Sequence, residues 1–89
     1  MRLALVVEYE GTRYHGFQYQ TNAPSVQAEL EVAIARLTGE ESRVKGAGRT
    51  DAGVHAKGQV VAFDTSAVHT PQTFVRALNF YLPDDIVVK

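Results

Sequence analysis

The sequence predicts a small α+β domain in which two helices cover one face of an antiparallel sheet. Two observations favour this fold. Four short β-rich runs are present, and two longer stretches carry apolar residues at helical spacing. Their order along the chain is strand, helix, strand, strand, helix, strand. Since connections between neighbouring elements are short and crossovers are right-handed, this order favours a sheet with both helices on the same side.

The first half of the chain supplies a strand, a helix and a second, short strand. Residues 3–9 (LALVVEY) are almost continuously apolar, which is typical of a central strand. Ser25 is a favoured helix N-cap and Gly39 suits the position just past a helix end, so a helix is expected between them. Its buried stripe is predicted to consist of Val26, Leu30, Ala33, Ile34 and Leu37, with Glu29, Glu31 and Arg36 on the solvent side. Residues 43–45 are the candidate second strand.

The second half repeats the pattern of a strand, a helix and a strand. Residues 59–65 (QVVAFDT) form the clearest strand after the first. Thr70 and Pro71 start a helix that Pro83 ends. Its apolar stripe is predicted to contain Phe74, Val75, Leu78, Tyr81 and Leu82. With a last strand at residues 86–88, the whole chain fits the ferredoxin-like β-α-β-β-α-β layout, an antiparallel sheet with two helices on one face.

Composition excludes several classes of function. The chain has 89 residues and a net charge of −1, so a nucleic-acid partner would need a local basic patch. The chain contains no cysteine, which excludes disulfides, thiol catalysis and cysteine metal sites and fits a reducing compartment. No apolar run approaches the roughly 18 residues of a membrane span. The strand-like pattern is still running at Lys89, and we expect a truncated chain.

Residues 46–56 (GAGRTDAGVHA) form the most unusual segment. Closely spaced glycines allow sharp turns and the close approach of another molecule. Arg49 and Asp51 stand two positions apart and share one side of an extended segment, where the arginine keeps the aspartate ionised. An ionised carboxylate acts as a nucleophile, a base or a metal ligand. The spacing fits a surface ion pair equally well.

This segment lies in a locally basic stretch. Residues 42–58 hold four cations against the single acid Asp51, and the cations are Arg43, Lys45, Arg49 and Lys57. Such a stretch can bind the phosphates of a nucleic acid. Solvated charges near a turn have the same pattern.

Residues 48–55 (GRTDAGVH) resemble the signature of the tRNA pseudouridine synthase A family. The resemblance extends along nearly the whole chain, through residues 8–11 (EYEG), 14–20 (YHGFQYQ), 25–27 (SVQ), 58–61 (GQVV), 78–79 (LN) and 82–86 (LPDDI). Two departures are visible. Glu10 stands where the family more usually has aspartate, and Phe17 stands where it more usually has tryptophan.

The resemblance implies that Asp51 is the catalytic aspartate, required to break the N-glycosidic bond of a target uridine and rejoin the ring through carbon. Attack on the sugar, addition to the pyrimidine and removal of a sugar proton all remain open as its role. Arg49 is implied to enter the base stack where the uridine flips out and to pair with Asp51. Arg13, Lys45 and Lys57 are candidate RNA contacts. No metal, nucleotide or redox cofactor is implied.

The family also implies what surrounds this chain. Its members resemble two related αβ domains with the active cleft between them, and they assemble as homodimers. We therefore expect residues 1–89 to be the N-terminal domain, with the second domain absent and no tRNA turnover by this chain alone. The implied substrate is tRNA, on the 3′ side of the anticodon stem-loop, and the implied location is the cytoplasm.

Two other functions share this order of elements. An RNA recognition motif needs stacking aromatic residues on its third strand, and residues 57–63 (KGQVVAF) keep only its Lys-Gly start, so Phe63 is expected in the core. An acylphosphatase needs an anion loop after the first strand, where Gly11, Arg13 and Gly16 lack the close spacing of an anion cradle.

Four aromatic residues lie in or next to the first loop, Tyr9, Tyr14, Phe17 and Tyr19. Their side chains either stack on RNA bases or anchor the loop to the core, and anchoring is favoured. The histidines are scattered, and we expect loop or cap residues rather than metal ligands at His15, His55 and His69.

Overall fold

The computed structural model describes residues 2–10, 25–46 and 56–89, with the backbone alone at positions 56 and 57. In these ranges the predicted α+β layout is confirmed, with a four-stranded antiparallel sheet and two helices. The elements are β1 (Arg2–Tyr9), α1 (Val26–Thr38), β2 (Lys45–Gly46), β3 (Ala56–Asp64), α2 (Pro71–Tyr81) and β4 (Ile86–Val88). The strand order β2-β3-β1-β4 agrees with the ferredoxin-like topology.

β1 is a central strand, as its apolar run predicts. It pairs with β3 along its length and with β4 near its C-terminal end. Successive side chains point to opposite faces of a strand, so Leu5, Val7 and Tyr9 are buried under the helices while Val6 is exposed. The face without helices, called the open face below, carries Ala4, Val6, Gly58, Val60, Ala62 and Val87.

Both helices begin at the predicted caps. The Ser25 hydroxyl accepts the N–H of Ala28 at 3.1 Å, and Thr70 accepts the N–H of Thr73 in the same way. Gly39 ends α1 with a φ of 75°, a left-handed conformation in which glycine carries no Cβ penalty. Within the described part of the chain, neither helix has the length and apolar character to cross a membrane.

The core lies between the helices and the covered face of the sheet. Phe63 of β3 is 2% exposed and meets Phe74 of α2 edge to face, with ring centroids 6.2 Å apart, so the expectation that Phe63 is a core residue is confirmed. In the second stripe, Tyr81 is 39% exposed instead of buried. Leu82, the next residue, closes the core at the end of α2.

Two strand bounds differ from the prediction. β3 begins at Ala56, three residues before the apolar run, because its backbone continues to pair with β1 as far as Tyr9. β2 is shifted forward to Lys45–Gly46. Strand bounds depend on the backbone partner across the sheet, and the sequence of one strand does not contain that information.

Glu31 was expected on the solvent side of α1, and that expectation is wrong. Its side chain is 17% exposed and accepts the backbone N–H of Val44 at 3.0 Å. The same carboxylate accepts from Gln27 at 2.8 Å and lies 3.6 Å from the Arg43 guanidinium. The N–H just before an edge strand needs an acceptor, and Glu31 provides one from the helix.

At the β4 edge of the sheet, Asn79 also bonds to the backbone of a strand through its side chain. The amide group of this α2 residue donates to the carbonyl of Val88 at 2.9 Å and accepts the N–H of Val88 at 2.7 Å. The N–H of Ile86 donates to the carbonyl of Pro83. In β4, the outer backbone groups of Val88 are therefore bonded to side-chain atoms of the same chain.

A carboxylate joins the end of α1 to the segment after β3. Glu40 accepts hydrogen bonds from the hydroxyl of Thr65 at 2.6 Å and from the hydroxyl and backbone N–H of Ser66. The bonds from Ser66 and then Thr65 lower the pKa of Glu40 from its ordinary value of 4.5. The ionised form of Glu40 is thus favoured in the folded chain.

This pKa shift predicts a pH-dependent stability. A carboxyl whose pKa is lower in the folded state stabilises the fold above its unfolded-state pKa, and this contribution is lost as the pH falls through the folded-state value. In urea unfolding, Glu40→Gln should be less stable than the wild type at pH 7, and the difference should narrow below about pH 4.5. Glu41→Gln, at the exposed neighbouring position, is the control. A Glu40→Gln difference that stays constant with pH would contradict this account.

Candidate functional site

Three strands meet in register at one end of the sheet. Tyr9 of β1 pairs with Ala56 of β3 on one side and with Ile86 of β4 on the other. The backbone N–H of Glu10 then donates to the carbonyl of Asp85 at 2.9 Å. This end is called the loop end below and is defined by Tyr9, Ala56 and Ile86.

Tyr9 holds the loop end in place. Its side chain is 3% exposed and belongs to the hydrophobic core, so the anchoring interpretation holds for this aromatic residue. The ladder between β1 and β3 shifts register between Val7 and Tyr9. A shift of this kind increases the local twist and re-aims the chain, and such shifts are frequent beside active sites. Tyr14, Phe17 and Tyr19 lie outside the described residues.

The helices are oriented so that α1 starts and α2 finishes at the loop end. Glu40, just after α1, contacts Ser66, which lies beyond the opposite end of β3. The N-terminus of α1, with the buried Ser25, is therefore directed toward the loop end. α2 ends at Tyr81, and the turn after it leads directly to Ile86.

The segments that carry the candidate residues lie outside the described residues, and only their flanks can be placed. Residues 11–24 are flanked by Glu10 and Ser25, and residues 47–55 are flanked by Gly46 and Ala56. β2 runs antiparallel to β3 and therefore heads toward the loop end as well. The candidate residues on these segments are Arg13, Arg49 and Asp51, and all three lie outside the described residues. Of the described flanks, Glu10 and Ala56 lie at the loop end, whereas Gly46 pairs with Val61, about 17 Å along β3 from Ala56.

The two lysine candidates stand apart from each other. Lys45 is exposed in β2 and pairs with Ala62, about 20 Å along β3 from Ala56 at the usual rise of a strand. The pKa of Asp64 is lowered first by its hydrogen bond from Arg2, and the charge of Lys45 adds a smaller effect. For Lys57 only the backbone is described, and it lies in β3 next to Ala56.

The described surface near the loop end is acidic. Glu10 and Asp84 are exposed there, and Asp85 is partly exposed. Negative charges repel phosphates, so a nucleic acid could bind at this end only with cations from other parts of the protein. Arg13 and Arg49 are the candidates that the sequence offers on the two segments that flank this end.

The structure disfavours the RNA recognition motif, whereas the anion-loop positions of the acylphosphatase alternative, Gly11, Arg13 and Gly16, lie outside the described residues. On the open face, β3 presents Gly58, Val60 and Ala62, and Phe63 is buried on the other side, so the stacking aromatics of an RNA recognition motif are missing there. In the described ranges no group of three potential metal ligands occurs. His69 is exposed and packs edge to face on Phe74, with ring centroids 5.5 Å apart, in agreement with a residue near a helix cap.

The link between Glu10 and Asp85 was not predicted from the sequence. It is a backbone hydrogen bond that joins the end of β1 to the turn before β4. Its only signal in the sequence is that both residues fall in segments that resemble one family. Backbone contacts of this kind leave no mark on residue type.

Comparison with known proteins shows which sequences this chain resembles. A family model described as tRNA pseudouridine synthase matches residues 5–89. The tRNA pseudouridine synthase A of Syntrophomonas wolfei is 58% identical over 87 residues, which are 98% of this chain and 35% of that protein. The proteins of the same name from Shewanella amazonensis and Myxococcus xanthus are 52% and 53% identical over 100% and 98% of this chain. The chain spans about a third of the length of these relatives.

The contribution of Tyr9 to the stability of the fold can be measured with a matched pair of tyrosine variants. Tyr9→Ala should lower the free energy of unfolding by about 3–5 kcal/mol, as other core aromatic truncations do. Tyr81→Ala, at a tyrosine that is 39% exposed, should cost no more than about 1 kcal/mol. Urea unfolding followed by circular dichroism measures both. Equal losses would contradict the anchoring role of Tyr9.

Proposed function

This chain belongs to the tRNA pseudouridine synthase family, and on that premise we propose that the complete protein converts uridine to pseudouridine in tRNA. The observation that carries the proposal is the family match over residues 5–89, which includes the segment GRTDAGVH at 48–55. The fold adds support, because the residue after that segment, Ala56, pairs in the sheet with the buried Tyr9. Residues 1–89 are the N-terminal αβ domain, and a second domain completes the enzyme.

The proposed reaction is an isomerisation that balances without a co-reactant. The bond between N1 of the uracil and C1′ of the ribose breaks, and a bond between C5 and C1′ forms. The proton on C5 leaves and a proton is taken up at N1, so the nucleoside gains and loses no atoms overall. Since oxidation states balance within the substrate, the chemistry calls for acid–base groups and precise positioning rather than a redox cofactor.

Asp51 is the proposed catalytic residue. A carboxylate on a glycine-rich segment allows close approach of the ribose and the base, and it supplies a nucleophile or a base. Arg49, two positions earlier, is proposed to fill the space left in the RNA stack and to keep the carboxylate ionised. A planar guanidinium can stack and pair at the same time, which a lysine cannot do.

The proposed RNA contacts follow the same logic. Arg13 and Lys57 are proposed phosphate contacts close in sequence to the loop end, and Lys45 is proposed to contact the backbone farther along the sheet. The proposed target is the 3′ side of the anticodon stem-loop. The complete protein is proposed to act as a homodimer in the cytoplasm. Because the described surface at the loop end is acidic, we propose that other parts of the assembly supply most of the positive charge that binds phosphates.

The proposal predicts that the complete protein depends on Asp51 for all detectable turnover. Asp51→Asn keeps the size of the side chain and removes its charge, so pseudouridine formation in an unmodified tRNA transcript should fall by at least about 10³-fold. Nucleoside chromatography of the digested tRNA measures the product.

Two controls accompany the Asp51→Asn measurement, one for the loss of a nearby carboxylate and one for the need for the complete protein. Asp84→Asn removes an exposed carboxylate near the loop end and should leave turnover within about twofold of the wild type. The 89-residue chain alone should give no product. Full activity of Asp51→Asn, or normal turnover by the short chain, would refute the proposal.

A further inference from the structure

Two aromatic rings stand exposed where α2 reaches the loop end. Phe80 is 81% exposed and Tyr81 is 39% exposed. The rings meet edge to face, with centroids 5.2 Å apart, in the arrangement that aromatic side chains prefer. Phe80 and Tyr81, called the aromatic pair below, therefore form one small ordered patch on the surface of the helix.

One turn before the aromatic pair, α2 carries a guanidinium that is available to a ligand. Arg76 is exposed and stands four positions before Phe80, so the two side chains are neighbours on the outer side of the helix. Arg2, Arg43 and Lys89 each pair with a carboxylate, whereas Arg76 has no ion pair to any residue that the structure describes. α2 contains no acidic residue, so Arg76 is the only charged side chain on this helix. Its charge can therefore meet an anion from outside the chain.

The charges around the aromatic pair differ on its two sides. Arg76 precedes the rings by about 6 Å along the helix axis, and Asp84 and Asp85 follow them in the chain. The C-terminal end of a helix also carries a partial negative charge. A phosphate is therefore attracted on the Arg76 side and repelled on the other, whereas a neutral base can rest on the rings themselves.

An unpaired nucleotide combines the two chemical groups that this surface can bind. Its base stacks on an aromatic ring, and its phosphate binds a guanidinium. A stable protein interface instead buries about 800 Å² on each partner. The large apolar side chains exposed on α2 are the aromatic pair alone, and polar Gln72 and Thr73 lie at the other end of the helix. Two rings suffice for a base and are small for a protein partner.

We propose that an unpaired nucleotide of the tRNA binds along the outer side of α2, with its base stacked on Phe80 and the neighbouring phosphate bound by Arg76. Tyr81 acts as a positioning residue, because its ring packs against that of Phe80. The inference rests on the function proposed above, since it takes tRNA as the ligand. It goes beyond the family resemblance, because these three residues lie outside the segments 78–79 and 82–86 that carry the resemblance in this region.

The affinity of the complete protein for RNA tests the stacking contact. The probe is a tRNA transcript with cytidine at the target position, so that no isomerisation occurs during the measurement. Phe80→Leu keeps an apolar side chain, removes the ring and should weaken binding at least about fivefold in a filter-binding titration. Phe80→Trp keeps a ring and should bind within about twofold of the wild type. Equal affinities for Phe80→Leu and the wild type would overturn the proposal.

The stacked base is found by removing bases from the RNA one at a time. An abasic nucleotide is placed in turn at each unpaired position of the loop that contains the target. At one position it should weaken wild-type binding at least about fivefold and leave the affinity of Phe80→Leu within about twofold, because both changes remove the same contact. If every abasic nucleotide weakens binding of the two proteins equally, Phe80 stacks on none of these bases and the proposal is wrong.

The salt dependence of binding tests the phosphate contact. Arg76→Gln should reduce the slope of log affinity against log salt concentration by about 1, as expected for the loss of one phosphate contact. Arg36→Gln is the matched control and should leave the slope unchanged, since Arg36 lies in the last turn of α1, away from the loop end. An unchanged slope for Arg76→Gln would contradict the assignment of Arg76.

Two further readouts separate this proposal from its alternatives. If Phe80→Leu changes the sedimentation coefficient of the complete protein and leaves its affinity for tRNA unchanged, the aromatic pair is a protein interface and the proposal is overturned. In turnover of an unmodified transcript, Phe80→Leu should raise KM at least about fivefold and leave kcat within about threefold. Because Phe80 is largely exposed, its melting temperature should stay within about 2 °C of the wild type.

The outcome for Asp51 is independent of these measurements. Full turnover by Asp51→Asn would refute the catalytic proposal and leave the affinities of the Phe80 and Arg76 variants as they are. Normal turnover by the wild type, together with wild-type affinity in both variants, would refute this proposal alone. A complete protein that does not bind the transcript would overturn both.

Discussion

The pairing of Tyr9 with Ala56 on one side and Ile86 on the other is the constraint on which the rest of the structure depends. It fixes where β1 ends and where β3 and β4 begin. A tyrosine that is 3% exposed anchors this row in the core, so the end of β1 next to Glu10 is held by buried contacts. The catalytic role proposed for Asp51 would depend on such positioning, since misplacement by about 1 Å can cost two orders of magnitude in rate.

The helices do more than cover the core. Glu31 of α1 and Asn79 of α2 each reach a strand at the border of the sheet and bond to its backbone. Backbone groups at sheet borders otherwise invite pairing with another chain.

Local chemistry made the helices predictable, whereas the catalytic role of Asp51 stays a prediction from the family resemblance. Ser25 and Thr70 cap the helices through their own hydroxyl groups, and such signals lie within four residues of each other. The octet around Asp51 is likewise a compact pattern. The predictions that were wrong concern residues whose position depends on partners far away in the sequence. The inward turn of Glu31 depends on a backbone group 13 residues away, and the position of Lys45 depends on its register with β3.

The most direct test of the central claim is a structure of the complete protein bound to tRNA that carries 5-fluorouridine at the target position. Fluorine replaces the C5 hydrogen whose loss completes the reaction, so the complex should be held near the rearranged state. The account predicts that the target nucleoside is flipped out at the loop end, with a carboxylate oxygen of Asp51 within about 3.5 Å of a reacting carbon of its sugar or base. A nucleoside bound elsewhere, or one that meets a different carboxylate, would contradict it.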